Sequence, residues 1–159
     1  LRAESFEFAA KMIRAGADWK RMMDLKIPFE EFQFSAWAVQ NIELFPEIRL
    51  GILCLPISKQ SQLNDLLGED WRSYQSEFKN TFGKTVKGYD IIIVLEETSK
   101  DQIKMRWRLK DFGVSIDLRE LLPDYGFIGG GHFAAGGGNF EGTIEEAKQA
   151  IIKAIKSVS

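Results

Sequence analysis

The chain has 159 residues, 45% of them hydrophobic and 28% charged, with a formal net charge of −2. That length fits one domain with a proper core, or one domain plus an appendage, and the charge excludes a strongly basic protein that coats nucleic acid while allowing a local basic strip. The single Cys54 excludes an intrachain disulfide and suits a reducing cytoplasm, and no apolar run approaches the roughly 18–20 residues of a membrane span.

Residues 4–15 place Phe6, Ala9, Ala10 and Ile13 at helical spacing, with Gly16 as a stop. Asp18 caps a second short helix to Leu25. Pro28 opens a third, with Phe29, Phe32, Ala36 and Val39 on one face and Glu30 and Glu31 in its first turn. The first 45 or so residues thus read as a helical linker. The chain begins at Leu1 and enters helical pattern at once, so the expectation is a downstream piece of a longer protein or a trimmed chain. No signal peptide is visible, and the expected location is cytoplasmic.

Pro46 marks a change of character. Residues 49–57 read as a buried strand that includes Cys54 as an inert thiol. Residues 61–67 and 70–82 read as helices, the second with a core stripe of Trp71, Tyr74, Phe78 and Phe82, and with Gly68 and Gly83 near the helix ends. Residues 89–95 form a strand apolar on both faces, and 96–102 hold a turn. Residues 103–109 alternate: Ile103, Met105, Trp107 and Leu109 face one way, Lys104, Arg106 and Arg108 the other. A solvated outer face explains the three cations as well as a polyanion-binding strip does. A short helix over 115–122 and a connector lead to the glycine stretch. Residues 139–142 are briefly extended, and Thr143 and Glu146 form a capping box for a last helix whose buried face is Ile144, Ala147, Ile151, Ala154 and Ile155. The predicted fold class is α/β: a central mixed β-sheet of three or four strands flanked by helices and preceded by the helical linker segment.

Residues 129–138 hold two glycine triplets around His132, the only histidine. Glycine frees the backbone for positive φ and clears side chains from a ligand's path, and such a loop can turn several N–H groups toward an anion. A flexible turn is the plain alternative. One histidine excludes a histidine-built metal site, no nucleophile-elbow pattern is present, and the dinucleotide fingerprint fails. Glu96 and Glu97, Asp117 and Glu120, and Glu145 and Glu146 read as a turn, caps and solvated faces. The expectation is a binding unit with neither catalytic nor metal-ligating residues of its own.

Gly129, Gly130, Gly131 and His132, followed by Ala135 and Gly137, resemble the signature loop of the DHH phosphoesterase superfamily, which lies in the C-terminal, DHH-associated domain of RecJ-like exonucleases, nano-RNases, phosphoadenosine-phosphate phosphatases and exopolyphosphatase-related proteins. Residues 104–108 resemble the family strand whose arginine faces substrate, with Arg108 as the match, and residues 6–25, with 15–18, resemble the linker helix. The resemblance covers essentially the whole chain. It implies a helical linker over 1–45, a substrate-binding domain over 46–159, and an N-terminal partner domain whose aspartates and histidines hold manganese. It implies phosphate binding by Arg108, Gly129, Gly130, Gly131, His132, Ala135 and Gly137, and a ligand that is a phosphorylated nucleotide or short single-stranded nucleic acid. A non-catalytic nucleotide- or RNA-binding module is the rival reading, since a related domain occurs in alanyl-tRNA synthetases. This chain departs from the pattern at Gly136, where a second alanine is common. Phe133 replaces proline or a small polar residue and could stack on a base or plug the core. Arg106 stands where serine is frequent and adds a cation. The aromatic residues over 29–37 suit an interface, such as a homodimer's.

Overall fold

A computed structural model describes residues 3–18, 27–110 and 115–158. In chain order the elements are α1 (Ala3–Arg14), α2 (Phe29–Asn41), β1 (Ile42–Phe45), a 3-10 turn (Pro46–Ile48), β2 (Leu50–Leu55), α3 (Ile57–Leu67), α4 (Trp71–Thr85), β3 (Ile91–Ser99), β4 (Gln102–Leu109), α5 (Leu118–Leu121), a second 3-10 turn (Leu122–Tyr125), β5 (Phe127–His132), β6 (Ala135–Glu141) and α6 (Ile144–Lys156). The short helix expected over 18–25 lies largely outside the described residues. The strands form one mixed sheet in the order β1-β2-β3-β4-β6-β5. Only β2 and β3 run parallel; the other neighbours are antiparallel.

Helices cover the sheet from both sides, so the two central strands are apolar on both faces. On one side Ile52, Ile93, Leu95, Met105 and Trp107 pack against Ala147, Ile151, Ala154 and Ile155 of α6. On the other, Leu53, Ile92 and Val94 pack against Phe34 and Ala38 of α2, Leu63 of α3, and Trp71, Phe78 and Phe82 of α4. A fully buried Ile, Leu or Phe contributes about 1.5–3 kcal/mol. The Thr143 cap is present: Thr143 Oγ1 accepts from Glu146 N at 3.2 Å, and Glu146 Oε2 accepts from Thr143 N at 2.8 Å. Asp117 caps α5, and Glu97 Oε2 accepts the Ile57 N–H at the start of α3, 3.1 Å away. Burial pushes the Cys54 thiol up to about 11, with Glu43 adding to the shift, which keeps it protonated and inert.

Three expectations change. The segment before residue 46 is not all helical: β1 closes one edge of the sheet against β2, and α2 contributes Phe34 and Ala38 to the core. The inward face of α2 is therefore not the predicted one. Phe29, Phe32 and Val39 are exposed, and beside them an apolar groove of about 520 Å³ runs between α2 and α4. The sheet has six strands rather than three or four, because the glycine stretch supplies two. Gly83 lies in the last turn of α4, near the helix end as expected, and packs against the sheet.

The ends of β2, β3 and β4 are tied at Asp90. Arg49, in the left-handed region at φ 55°, donates from Nε to Asp90 Oδ2 at 2.5 Å and from Nη2 to Oδ1 at 2.9 Å. Lys110 Nζ lies 3.9 Å from the same carboxylate. The Arg49 hydrogen bonds hold the Asp90 carboxyl below its ordinary value, against the opposing effect of burial. A depressed folded pKa gives stability that is present above the unfolded value, about 3.9, and is lost as pH falls through the folded one. In urea titrations Asp90→Asn is expected to be less stable than wild type at pH 7, with the gap closing as pH falls below about 4. A gap constant with pH contradicts this role.

Candidate functional site

Strand β4 divides the chemistry. Ile103, Met105, Trp107 and Leu109 are buried, and Lys104, Arg106 and Arg108 point to the opposite side, the side covered by α4. Residues directly opposite in antiparallel pairs share a face. Arg108 stands opposite Ala135, which stands opposite His132. Arg106 stands opposite Gly137, which stands opposite Gly130. Lys104, Asn139 and Ile128 form the third row. Two strand spacings, about 10 Å, separate β4 from β5 in each row. Six residues predicted from the sequence thus share one face, partly covered by α4 at Arg106 and Arg108 and exposed at Gly130 and His132, with Ala135 and Gly137 between. A groove of about 380 Å³ lies at the Lys104 end of this face, lined by Lys104, Arg106, Ile128, Asn139 and glycine backbone; Arg108 and His132 stand beyond it.

The glycine stretch is a hairpin and not a loop, with Phe133 and Ala134 as its two-residue turn. Glycine reads as a loop former, but here it is selected by close approach. A Cβ on Gly136 would collide with the six-membered ring of Trp107 and sit 2.6 Å from Gly130 O. That contact explains the absent alanine. Gly131 sits at φ 140°, and a Cβ there would lie 2.6 Å from Gly136 Cα. Gly129 and Gly131 share the core-side face with Trp107 and Met105, whereas a Cβ on Gly130 would meet nothing within 4 Å. The consequence for anion binding is a correction. The N–H groups of an edge strand point alternately toward and away from its partner, so they do not converge as in a phosphate-binding loop. The site is a glycine floor beside cationic side chains.

His132 is exposed, and its Nδ1 accepts the Ala134 N–H at 3.3 Å. That contact puts the ring proton of the neutral form on Nε2, free to donate outward. Phe133 is half-buried against the core, and the Arg119 guanidinium carbon lies 6.0 Å from its ring centroid. Of its two open roles, these contacts support the core plug.

Five residues not predicted at a site surround these arginines: Arg72, Gln75, Lys79, Gly83 and Glu96. Glu96 is 5% exposed and bridges two arginines: Arg106 Nη1 donates to its Oε2 at 3.0 Å, and Arg72 Nε to its Oε1 at 3.2 Å. It is the end of a core strand, not part of a turn. Arg106 Nη1 also lies 3.3 Å from Gln75 Oε1. Gly83 lets α4 approach Arg108: a Cβ there would be 3.0 Å from Arg108 Cγ. Burial, then the neighbouring Arg106 and Arg108, push the Lys79 ammonium below its ordinary value. The spacing of Gln75, Lys79 and Gly83 along one helix face was the available signal. Among the described residues no three His, Cys, Asp or Glu side chains gather to hold a metal ion. Glu96, Asp117, Glu145 and Glu146 are taken up by arginines, caps and Lys148. No helix of the described residues is long and apolar enough to cross a membrane.

No family model matches the sequence, and no curated protein matches it. Solved structures do match. An exopolyphosphatase-related protein from Bacteroides fragilis superposes with a TM-score of 0.72 at 19% identity, covering 98% of this chain and 44% of that one. A pGpG-specific phosphodiesterase from Vibrio cholerae superposes with a TM-score of 0.55 at 17% identity, covering 100% of this chain and 52% of that one. The chain shares its fold with both. It spans about half the length of either.

The two faces of the hairpin give opposite expectations. Gly136→Ala forces the Trp107 ring out of place and is expected to cost about 1–3 kcal/mol. Gly130→Ala, facing open space, is expected to change stability by less than about 0.5 kcal/mol. Urea unfolding of the two variants checks this, and equal losses would contradict the assignment of faces.

Proposed function

We propose that this chain is the substrate-gripping part of a DHH-type phosphoesterase that acts on short oligonucleotides or phosphorylated nucleotides. The observation that carries this reading is the row Arg108, Ala135, His132 flanked by Arg106, Gly137 and Gly130. Two guanidinium groups and an imidazole N–H border a floor with almost no side chains. Guanidinium groups grip phosphate oxygens through paired donors, and the glycines let the phosphate settle against backbone. The shared fold supports the reading, because the two matched structures are an exopolyphosphatase-related protein and a pGpG-specific phosphodiesterase.

In this reading the chain binds and orients, and hydrolysis takes place at metal ions, manganese in the resembled family, held by an N-terminal domain outside this chain. Arg108 clamps the phosphate and His132 donates a hydrogen bond to it. These contacts raise the rate only insofar as they tighten in the transition state. The exposed apolar side chains of α1 and α2, among them Phe8, Phe29 and Phe32, support a contact with that domain or a second copy of the chain.

Calorimetric titration of the chain with a 5′-phosphorylated dinucleotide tests the proposal. Wild type is expected to bind with an affinity that falls as salt rises. Arg108→Met and His132→Ala are expected to weaken binding about tenfold or more while melting stays unchanged, the loss of one charge-assisted hydrogen bond. Wild-type affinity in both variants would overturn the site.

A further inference from the structure

We propose that Arg72 is a positioning residue for Arg106: by taking one oxygen of the buried Glu96 carboxylate, it leaves Arg106 with charge and donors free for an anion in the groove. The inference rests on the glycine face being a phosphate site, and it names a residue that governs that site without lining the groove.

The contacts form one chain. Gln60 of α3 is 8% exposed, and its Nε2 donates to Leu55 O at 2.9 Å and to Glu97 O at 2.7 Å. Both of its N–H bonds are thereby used, and Oε1 accepts from Arg72 Nη2 at 3.3 Å. The Arg72 guanidinium carbon also lies 4.5 Å from the centroid of the Trp71 ring, and Trp71 is fully buried. An amide, an aromatic face and the Glu96 carboxylate therefore hold one guanidinium group. Glu96 passes that order to Arg106 Nη1, and Arg106 lines the groove. The chain thus runs from the ends of β2 and β3 through α3 and α4 to β4.

Charge gives this chain a use. A buried carboxylate with one arginine partner draws that guanidinium into a paired contact through two nitrogens. Here each arginine gives one nitrogen to one oxygen: Arg106 Nη1 to Oε2 and Arg72 Nε to Oε1. Arg106 Nη1 also serves Gln75 Oε1. Among the described residues Arg106 Nε and Nη2 make no hydrogen bond. Neutralising Glu96 needs only one arginine; the second keeps the groove-side arginine cationic. Without Arg72 the free Glu96 oxygen would turn to Arg106, and its charge would be spent inside the protein. The Lys79 ammonium, held below its ordinary value by burial and then by Arg106 and Arg108, feels the same excess of positive charge.

Calorimetric titration with a 5′-phosphorylated dinucleotide at several salt concentrations tests this in wild type, Arg72→Met, Arg72→Lys, Arg106→Met and the Arg72→Met/Arg106→Met double variant. Glu96 keeps Arg106 as a partner in Arg72→Met, so the fold is expected to survive, and melting of each variant checks it. Arg72→Met is expected to weaken binding about three- to fivefold and to make it less steep in salt. Arg72→Lys is expected to recover part of the loss. In the Arg106→Met background, Arg72→Met is expected to change affinity no further, because its effect passes through Arg106. Wild-type affinity in Arg72→Met overturns the inference. So does an equal loss in both backgrounds, which would mark Arg72 as merely structural.

A measurement without ligand separates failure of the positioning from failure of the groove. In nitrogen NMR of the arginine side chains, Arg72→Met is expected to shift the Arg106 Nε–H signal as Glu96 takes a second donor from it. A shifted signal with no dinucleotide binding in wild type supports the positioning and removes the groove reading. An unmoved signal overturns the positioning whatever the affinity.

Discussion

The contact between the Trp107 ring and the backbone of Gly136 sets the geometry of the glycine hairpin. Trp107 belongs to the core face of β4 and is 2% exposed. Its ring extends beneath the neighbouring strand, and only a residue without Cβ leaves room for it. Gly131, opposite Gly136, is constrained in turn, and β5 can approach β6 closely. Burial of one large aromatic ring thus clears side chains from two strands. The face away from Trp107 is bare on other grounds: a Cβ on Gly137 would lie 2.7 Å from Met105 O, and one on Gly130 would meet open space.

A second constraint keeps the cations of that face in place. Glu96 lies at the end of the buried β3 run, where an unpaired carboxylate would be strongly disfavoured. Arg72 and Arg106 both reach it. This pairing orders the Arg106 side chain, and Gly83 lets α4 close over Arg108. The α4 helix is thus both a core element, through Trp71, Phe78 and Phe82, and the cover over Arg106 and Arg108, through Gln75 and Gly83. Core packing and the contacts to Arg106 and Arg108 use different faces of the same fifteen residues.

Much of this was legible in the sequence where periodicity was strong. The alternation of residues 103–109, the stripe from Trp71 to Phe82 and the Thr143 capping box all correspond to observed elements. Reading failed where two forces competed. Glycine's low strand propensity pointed to a loop over 129–138, and the tertiary demand of Trp107 overrode it. The apolar series Phe29, Phe32, Ala36 and Val39 has helical spacing, but the helix turns Phe34 and Ala38 inward, so hydrophobicity alone did not mark the buried face. Arg106 and Arg108 were visible as a strip. Their neighbours Glu96, Gln75 and Lys79 were not, because strand register and the seating of α4 bring them together from distant parts of the chain.

The central claim is that the open side of the β4–β6–β5 segment holds a phosphate. A crystal structure of the chain with a 5′-phosphorylated dinucleotide tests it most directly. The account predicts phosphate density over Gly130 and Gly137, within hydrogen-bonding distance of Arg108 and His132 Nε2. Ligand density in the apolar groove between α2 and α4 instead, with the glycine face empty, would contradict it.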